Sequence, residues 1–501
     1  MAAPLDDSQI FASGVEEATL TVQLDSADFD IDKPTDSLVV PRQGQSTRDA
    51  SFRIVPRHDG VSEITATIHF RGNFIQQMKL RFDVGAAVGA GIAVSTLGRP
   101  LSAVSVVQPR DLGLSISPSI GGYDCTVWGA VAARARLPIP PAELAKAVDV
   151  ARDELLKVVM WRDPQNPAGG YPFQTATGIP EAGREFALTT LARAGAGLFR
   201  KLFFGPAAAA DANKVGEFLR RMATETPKLR LQILADSAPI PWGMLYVGDA
   251  SAEAKLDWGN FLGARHVIEM IPLQNTLVVS ASEIPSDQPR LVVSVNINRG
   301  IDSQMGADFV ARQESYWDGA GKRGGVRVVS RATKAELVKA LASGSADDQI
   351  LYFYCHAKSA DLSSAAGPDS ACLVLTDGRV TLGDLNLDAP TSAQLRGNPL
   401  VFINACESAE MSPAFYDGFV PYFMAKGARG VIGTECQTPA LFAAEWARRF
   451  FLLFLDGQTL GEAFLALRKA FLEEHGNPLG LIYAVHSDGD TRITPPLASS
   501  S

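Results

Sequence analysis

Hydrophobic and polar positions alternate in three stretches of the first 85 residues. Leu20, Val22 and Leu24 alternate with Thr19, Thr21 and Gln23, and Ile64, Ala66, Ile68 and Phe70 with Thr65, Thr67 and His69. Met78, Leu80, Phe82 and Val84 alternate with Lys79, Arg81 and Asp83. A period of two places each apolar set on one face of a strand. Arg71-Gly72-Asn73, between the last two runs, supplies hairpin turn chemistry. Residues 1–85 are therefore expected to form a small antiparallel β-sandwich, an interaction module for a partner or substrate, with His58 and His69 facing solvent.

The pattern then changes. Gly85–Pro100 is rich in Gly, Ala and Val; Gly89-x-Gly91 is followed by Val94 where a dinucleotide fingerprint needs its third glycine, so a linker is expected. Residues 86–224 read as this linker plus an α/β region. Strands are predicted over Leu112–Ser117 and Tyr123–Ala133, and helices over Ala142–Val159, Glu185–Phe204 and Ala212–Met222, with an exposed loop over Asp163–Pro180. Lys228–Leu234 reads as a strand. From about residue 290, short apolar strands (Leu291–Ile297, Val326–Ser330, Ile350–Cys355, Leu400–Ala405, Gly430–Gly433 and Leu481–Val485) alternate with helical segments at Thr333–Leu341, Ala414–Lys426, Leu441–Leu455 and Leu460–Glu473. That order implies a largely parallel sheet with both faces covered. The fold class is α/β, and the third unit spans 225–495.

Composition narrows the function classes. The 501 residues carry 46 Lys+Arg against 55 Asp+Glu, a formal charge of -9, so no basic surplus points to nucleic acid. Five cysteines without a CxxC pair do not make a disulfide scaffold. The apolar run Phe450–Leu455 is far below the ~20 residues that span a bilayer. Met1-Ala-Ala-Pro-Leu-Asp-Asp lacks the charged-then-apolar order of a secretory leader. A cytoplasmic protein with neither membrane nor nucleic acid as partner is expected.

Ligands of open α/β sheets bind outside the carboxyl ends of the strands. His356 directly follows the run Ile350–Cys355, and Cys406 directly follows Leu400–Ala405. If the two strands are adjacent and parallel, imidazole and thiol emerge at one edge, where the base can generate a thiolate. Cys355, Cys372 and Cys436 read as structural. A zinc site from Cys355, His356, Cys372 and Cys406 would fit no common ligand spacing. His266, His475 and His486 read as packed or solvated and Trp242 as a core anchor.

Several words of the sequence, in order, resemble the CHAT domains, caspase-related cysteine peptidases of the group that includes separases. These are Ile240-Pro-Trp-Gly-Met-Leu-Tyr246, Phe353-Tyr-Cys-His-Ala357, Phe402-Ile-Asn-Ala-Cys-Glu-Ser408, Gly427-Ala-Arg-Gly-Val-Ile-Gly-Thr434, Gly461-Glu-Ala-Phe-Leu-Ala-Leu-Arg468 and Asn477-Pro-Leu-Gly-Leu-Ile-Tyr483. The resemblance covers roughly 225–492, with weaker character back to about 110. It implies a caspase-like α/β/α sandwich and a Cys-His endopeptidase. Cys406 would be the nucleophile and His356 the base and acid, with the N–H groups of Ala357 and Cys406 as the oxyanion hole and no metal or organic cofactor. Ala357 stands where relatives often have Gly, and Gly243 where they usually have Glu. Glu435 is either a solvated loop acid or a wall of the specificity pocket that would favour Lys or Arg at the cleavage site. The resemblance further implies a protein substrate and a protein activator or regulator, in bacterial defence or cell death. The competing readings are a catalytically silent scaffold of the same fold and a thiol-dependent acyltransferase.

Overall fold

The alternating N-terminal segment folds by antiparallel pairing. The computed structural model describes residues 16–42, 44–85, 93–98, 108–205, 209–235, 238, 240–272, 282–287, 290–322, 325–344, 346–358, 367–405 and 414–497. The N-terminal strands are β1 (Glu17–Asp25), β2 (Phe29–Ile31), β3 (Thr35–Pro41), β4 (Ile54–Pro56), β5 (Gly60–Phe70), β6 (Asn73–Val84) and β7 (Ala93–Gly98). Five of them form one antiparallel sheet in the order β3-β1-β5-β6-β7, and β2 pairs with β4 as a separate ribbon. Ala18, Leu20, Val22, Val40, Ile68 and Ile75 make its small core. Phe29 of the ribbon meets Phe82 of β6 edge to face at 5.6 Å. The described residues thus hold one five-stranded sheet and a ribbon; a second full sheet facing it is not among them. Ala93–Gly98, read from sequence as linker, is instead the strand β7 paired with β6.

His69 corrects the sequence expectation. It is 2% exposed and stacks on Trp128 with ring centroids 4.6 Å apart. The polar face of β1 and β5 meets water only in part: Gln23, Thr67 and His69 are buried, while Thr19, Thr21 and Glu63 are exposed. Gln23 donates to the Val127 carbonyl at 3.2 Å, and Asp25 pairs with Arg134 at 2.8 Å. His58 is exposed, beside Asp28 at 3.3 Å.

The second unit contains β8 (Leu112–Ser119), β9 (Gly122–Gly129), β10 (Ala133–Leu137), α1 (Pro141–Val159), α2 (Pro172–Thr175), α3 (Glu181–Phe203), α4 (Ala210–Glu225), β11 (Arg230–Ala235), α5 (Leu262–Arg265) and β12 (Val267–Pro272). Its sheet runs β10-β9-β8-β11-β12, antiparallel up to β8 and parallel beyond. Residue 225 ends α4, so strands from both sides of that position share one sheet. Pro141 opens α1, and Leu144, Val148, Ala151, Leu155 and Val158 bury its apolar stripe. The segment 163–180 is not wholly an exposed loop. Phe173 in α2 is fully buried and meets Trp161 edge to face at 6.3 Å, because burying one large ring outweighs the polar character around it.

The third unit runs through β13 (Glu283–Pro285), β14 (Leu291–Ile297), α6 (Gly300–Met305), α7 (Phe309–Lys322), β15 (Val326–Arg331), α8 (Lys334–Ala342), β16 (Ile350–Lys358), β17 (Cys372–Leu375), β18 (Gly378–Thr381) and α9 (Leu382–Asp388). It continues with β19 (Leu400–Ala405), α10 (Ala414–Ala425), β20 (Gly430–Thr434), α11 (Ala440–Leu455), α12 (Leu460–His475), β21 (Tyr483–Ser487) and β22 (Arg492–Thr494). The main sheet is ordered β15-β14-β16-β19-β20-β21 and is parallel except for β21 against β20. Helices cover both faces. On one face Tyr352 and Phe402 pack against Trp317 of α7 and Phe451 of α11. On the other, Phe353 meets Phe423 of α10 at 5.9 Å.

Buried charges tie the units together. Arg110, just ahead of β8, pairs with Glu269 of β12 at 2.7 Å, with Asp490 at 2.8 Å and with Asp488 at 3.1 Å, the last two in the turn after β21. The Arg110 and Glu269 side chains are each 1% exposed. Arg230 extends the cluster to Asp490 and Glu462. Removing one partner of such a pair strands the other in low dielectric. Replacing Arg110 by Met is expected to lower stability by about 3–5 kcal/mol. The urea midpoint of Arg110→Met measures it, and adding Glu269→Gln should recover part of the loss.

Within the second unit a neutral imidazole ties α4 to the start of β11. The Leu229 N–H donates to His266 Nδ1 and His266 Nε2 donates to the Ala223 carbonyl, each at 3.0 Å. Burial lowers this histidine to about 4. Its folded value lies below the ordinary 6.5, so its neutral form is the stable one. Stability should be whole above about pH 6.5 and fall as the pH drops toward 4. His69 and His486, lowered by burial to about 3 and about 4, add to the same acid loss. Urea midpoints at pH 7 and pH 5 should show the decline, and His266→Gln should flatten part of it.

Candidate active site

The centre of the main sheet sets the geometry. β16 and β19 are parallel neighbours, paired from Ile350 with Leu400 to Cys355 with Ala405. His356 is the next residue along β16, and Cys406 is the residue bonded after Ala405. Cys406 itself, and the oxyanion role expected of its N–H, lie outside the described residues. The strand β16 does not stop at Cys355 as the apolar run suggests. It continues through Lys358 because β17 pairs with its extension, His356 opposite Val374 and Ala357 opposite Leu373.

His356 is half-buried. Its Nε2 lies 2.9 Å from Oε1 of Gln304, on α6 beyond the carboxyl end of β14. Ala357 is 1% exposed. Asn298 at the same rim donates its backbone N–H to the Tyr354 carbonyl at 3.0 Å. The rim therefore carries an imidazole with a defined hydrogen-bond partner, seated on a rigid strand.

Beneath it lies a polar knot. Asn404 is fully buried; it donates to the Ala443 carbonyl at 2.8 Å and to the Tyr352 hydroxyl at 3.3 Å, and accepts from the Tyr483 hydroxyl at 2.6 Å. It ties β19 to β16, α11 and β21, so it locks the level at which β19 ends. An amide suits this place because it both donates and accepts.

Glu435 is buried rather than a solvated loop acid. Its side chain is 5% exposed and pairs with Arg152 of α1 at 2.7 Å. It lines a small cavity with Trp242, Gly243, Arg468 and Tyr483. The guanidinium of Arg152 already answers the charge that would have attracted a basic substrate side chain. Sequence reading missed this partner, which is distant in the chain.

The described thiols, Cys125, Cys355, Cys372 and Cys436, are buried. Burial pushes Cys125 and Cys355 up to about 12 and Cys436 higher still, so these three stay protonated and unreactive. Among the described residues no group of three His, Cys, Asp or Glu can hold a metal ion, and no helix is long and apolar enough to cross a membrane. Gln304 carried no signal in the sequence, since only folding brings it to His356.

The amide at 404 is testable. Asn404→Asp would set a carboxylate against the Ala443 carbonyl in a dry site, which raises its own protonation equilibrium. A loss of about 2–3 kcal/mol at pH 7 is expected. The penalty should shrink toward pH 5, where the acid takes up a proton and donates. The difference between variant and wild-type urea midpoints at the two pH values measures it.

Comparison with known proteins adds a family. The profile described as "CHAT domain" matches residues 193–479. A curated protein of Vitiosangium sp. (strain GDMCC 1.1324), named a probable protease, is 35% identical over 136 residues, which are 27% of this chain and 17% of that protein. The chain thus matches under one fifth of that relative's length. Two crystal structures of the Saccharomyces cerevisiae separase–securin complex align over 75% of this chain and 30% of theirs, at 11% identity and TM-scores of 0.37 and 0.38.

Proposed function

This chain belongs to the CHAT domain family, and from that premise we propose that it is a cysteine endopeptidase working through a Cys406–His356 dyad. One observation carries the proposal: Cys355 pairs with Ala405 across adjacent parallel strands. His356 and Cys406 are the residues bonded to that pair on the carboxyl side. The name of the Vitiosangium relative, a probable protease, agrees with the reaction class.

In the proposed reaction the Cys406 thiol gives its proton to His356 and the thiolate attacks the scissile carbonyl. The carbonyl becomes an oxyanion, for which the Ala357 and Cys406 N–H groups are the proposed donors, each worth about 3–4 kcal/mol. The imidazolium protonates the leaving amine as the C–N bond breaks. Water, deprotonated by His356, then attacks the thioester and releases the acid and the thiol. The protein substrate is cut at a specific site, and a protein partner switches the enzyme on within a bacterial defence or cell-death response. A large non-catalytic portion precedes the rim, which supports such control. Specificity is not assigned to Glu435, because Arg152 already balances it.

The test is co-expression of neighbouring gene products with wild type, Cys406→Ala and His356→Ala, followed by mapping of new protein N-termini. Either substitution should reduce cleavage roughly a thousandfold or more, with thermal stability retained. Cleavage that survives Cys406→Ala would overturn the proposal. Partner binding with no cleavage by the wild type would leave the silent scaffold.

A further inference from the structure

We propose that Gln304 is a positioning residue that fixes the tautomer of His356, holding the proton on Nε2 so that Nδ1 carries the lone pair that takes the thiol proton. The inference deepens the Cys-His reading above and rests on it. Its observation is the 2.9 Å contact between Gln304 Oε1 and His356 Nε2.

A neutral imidazole has one donor and one acceptor nitrogen, and the partner of one nitrogen decides the role of the other. An amide oxygen accepts only. Facing Nε2, it selects the Nε2–H tautomer, and when Nδ1 takes a proton it keeps accepting from Nε2–H. The Gln304 amide nitrogen lies on the side of Gly300, 3.6 Å from where a Cβ would stand on that glycine. The oxygen is the end presented to the ring.

Gln304 sits at the protein surface, yet its backbone is held at both ends. Asn298 Oδ1 accepts from the Gly300 N–H at 2.8 Å, and the Arg299 N–H donates to Thr376 Oγ1 at 2.9 Å. Thr376 follows β17, the strand that pairs beside His356. Ile301 is fully buried. Asp302 accepts from the Val310 and Ala311 N–H groups of α7 at 2.8 and 3.0 Å. Gly306, at φ 62°, ends the short helix. Fixed from both sides, α6 holds the Gln304 backbone beside His356. A long surface glutamine with no such anchoring would lose more rotamer entropy than the bond returns.

The experiment labels the full-length chain with 15N-histidine and records long-range 1H–15N correlations at pH 8. It has six histidines, and the His356 signals are those lost in His356→Gln. Wild type should show a protonated Nε2 and a pyridine-like Nδ1. Gln304→Leu should mix the tautomers, and Gln304→Glu, which also accepts only, should restore the wild-type pattern. On a cleaved substrate, Gln304→Leu should lower kcat about 10- to 100-fold with KM little changed, and Gln304→Glu should recover most of it. A wild-type ring protonated on Nδ1, or a pattern unchanged in Gln304→Leu, would overturn the inference. The spectra report on the ring whether or not the chain cuts peptides. Failure of the peptidase reading shows elsewhere, in cleavage that ignores Cys406→Ala.

Discussion

Six backbone pairings between Ile350–Cys355 and Leu400–Ala405 bring two segments fifty positions apart to the same level of one sheet. A shift of one residue in that register would turn each side chain of β19 to the opposite face. The register is guarded by packing on both sides. Tyr352 and Phe402 lie against one helical layer and Phe353 against the other, so a slip would drive rings into backbone. Asn404 adds a directional constraint, since its three hydrogen bonds to β16, α11 and β21 can be made at only one height. Apolar contact fixes which face is inside, and the amide fixes where along the strand.

The charged cluster around Arg110 works at a larger scale. It links a segment ahead of the second sheet to β12 within that sheet and to the turn after β21 in the third unit. Buried ion pairs add little net stability over apolar packing, but they are intolerant of misalignment. Here they join units that also share one continuous apolar core. The stacked His69–Trp128 pair and the Gln23–Val127 bond extend that joining to the N-terminal sheet. Part of the face through which this sheet was expected to meet solvent, around Gln23 and His69, is thus occupied by the chain's own second unit.

Much of the third unit was legible from periodicity. The apolar runs at 291–297, 350–355, 400–405 and 430–433 are strands, because residues buried on both faces leave no alternation to confuse. The elements missed were those whose reasons are tertiary. The helices Gly300–Met305 and Phe309–Lys322 have weak local patterns, and the second is capped by Asp302 of the first. The strand Ala93–Gly98 looks like a linker because its glycine-rich surroundings dominate its composition, yet β6 offers it an edge to pair with. His69 reads as polar and outward because alternation says which side of a strand a residue takes, not what covers that side.

The sequence by itself determined the α/β class, the strands that carry His356 and precede Cys406, and the family resemblance, because each is written in local apolar runs and short words. Only tertiary structure decided that β16 and β19 are neighbours in register, that Glu435 is answered by Arg152, and that Gln304 reaches His356. The physical reason is the same in all three. A hydrogen bond or ion pair depends on ångström distances between residues far apart in the chain, and chain spacing carries no distance until the core has packed.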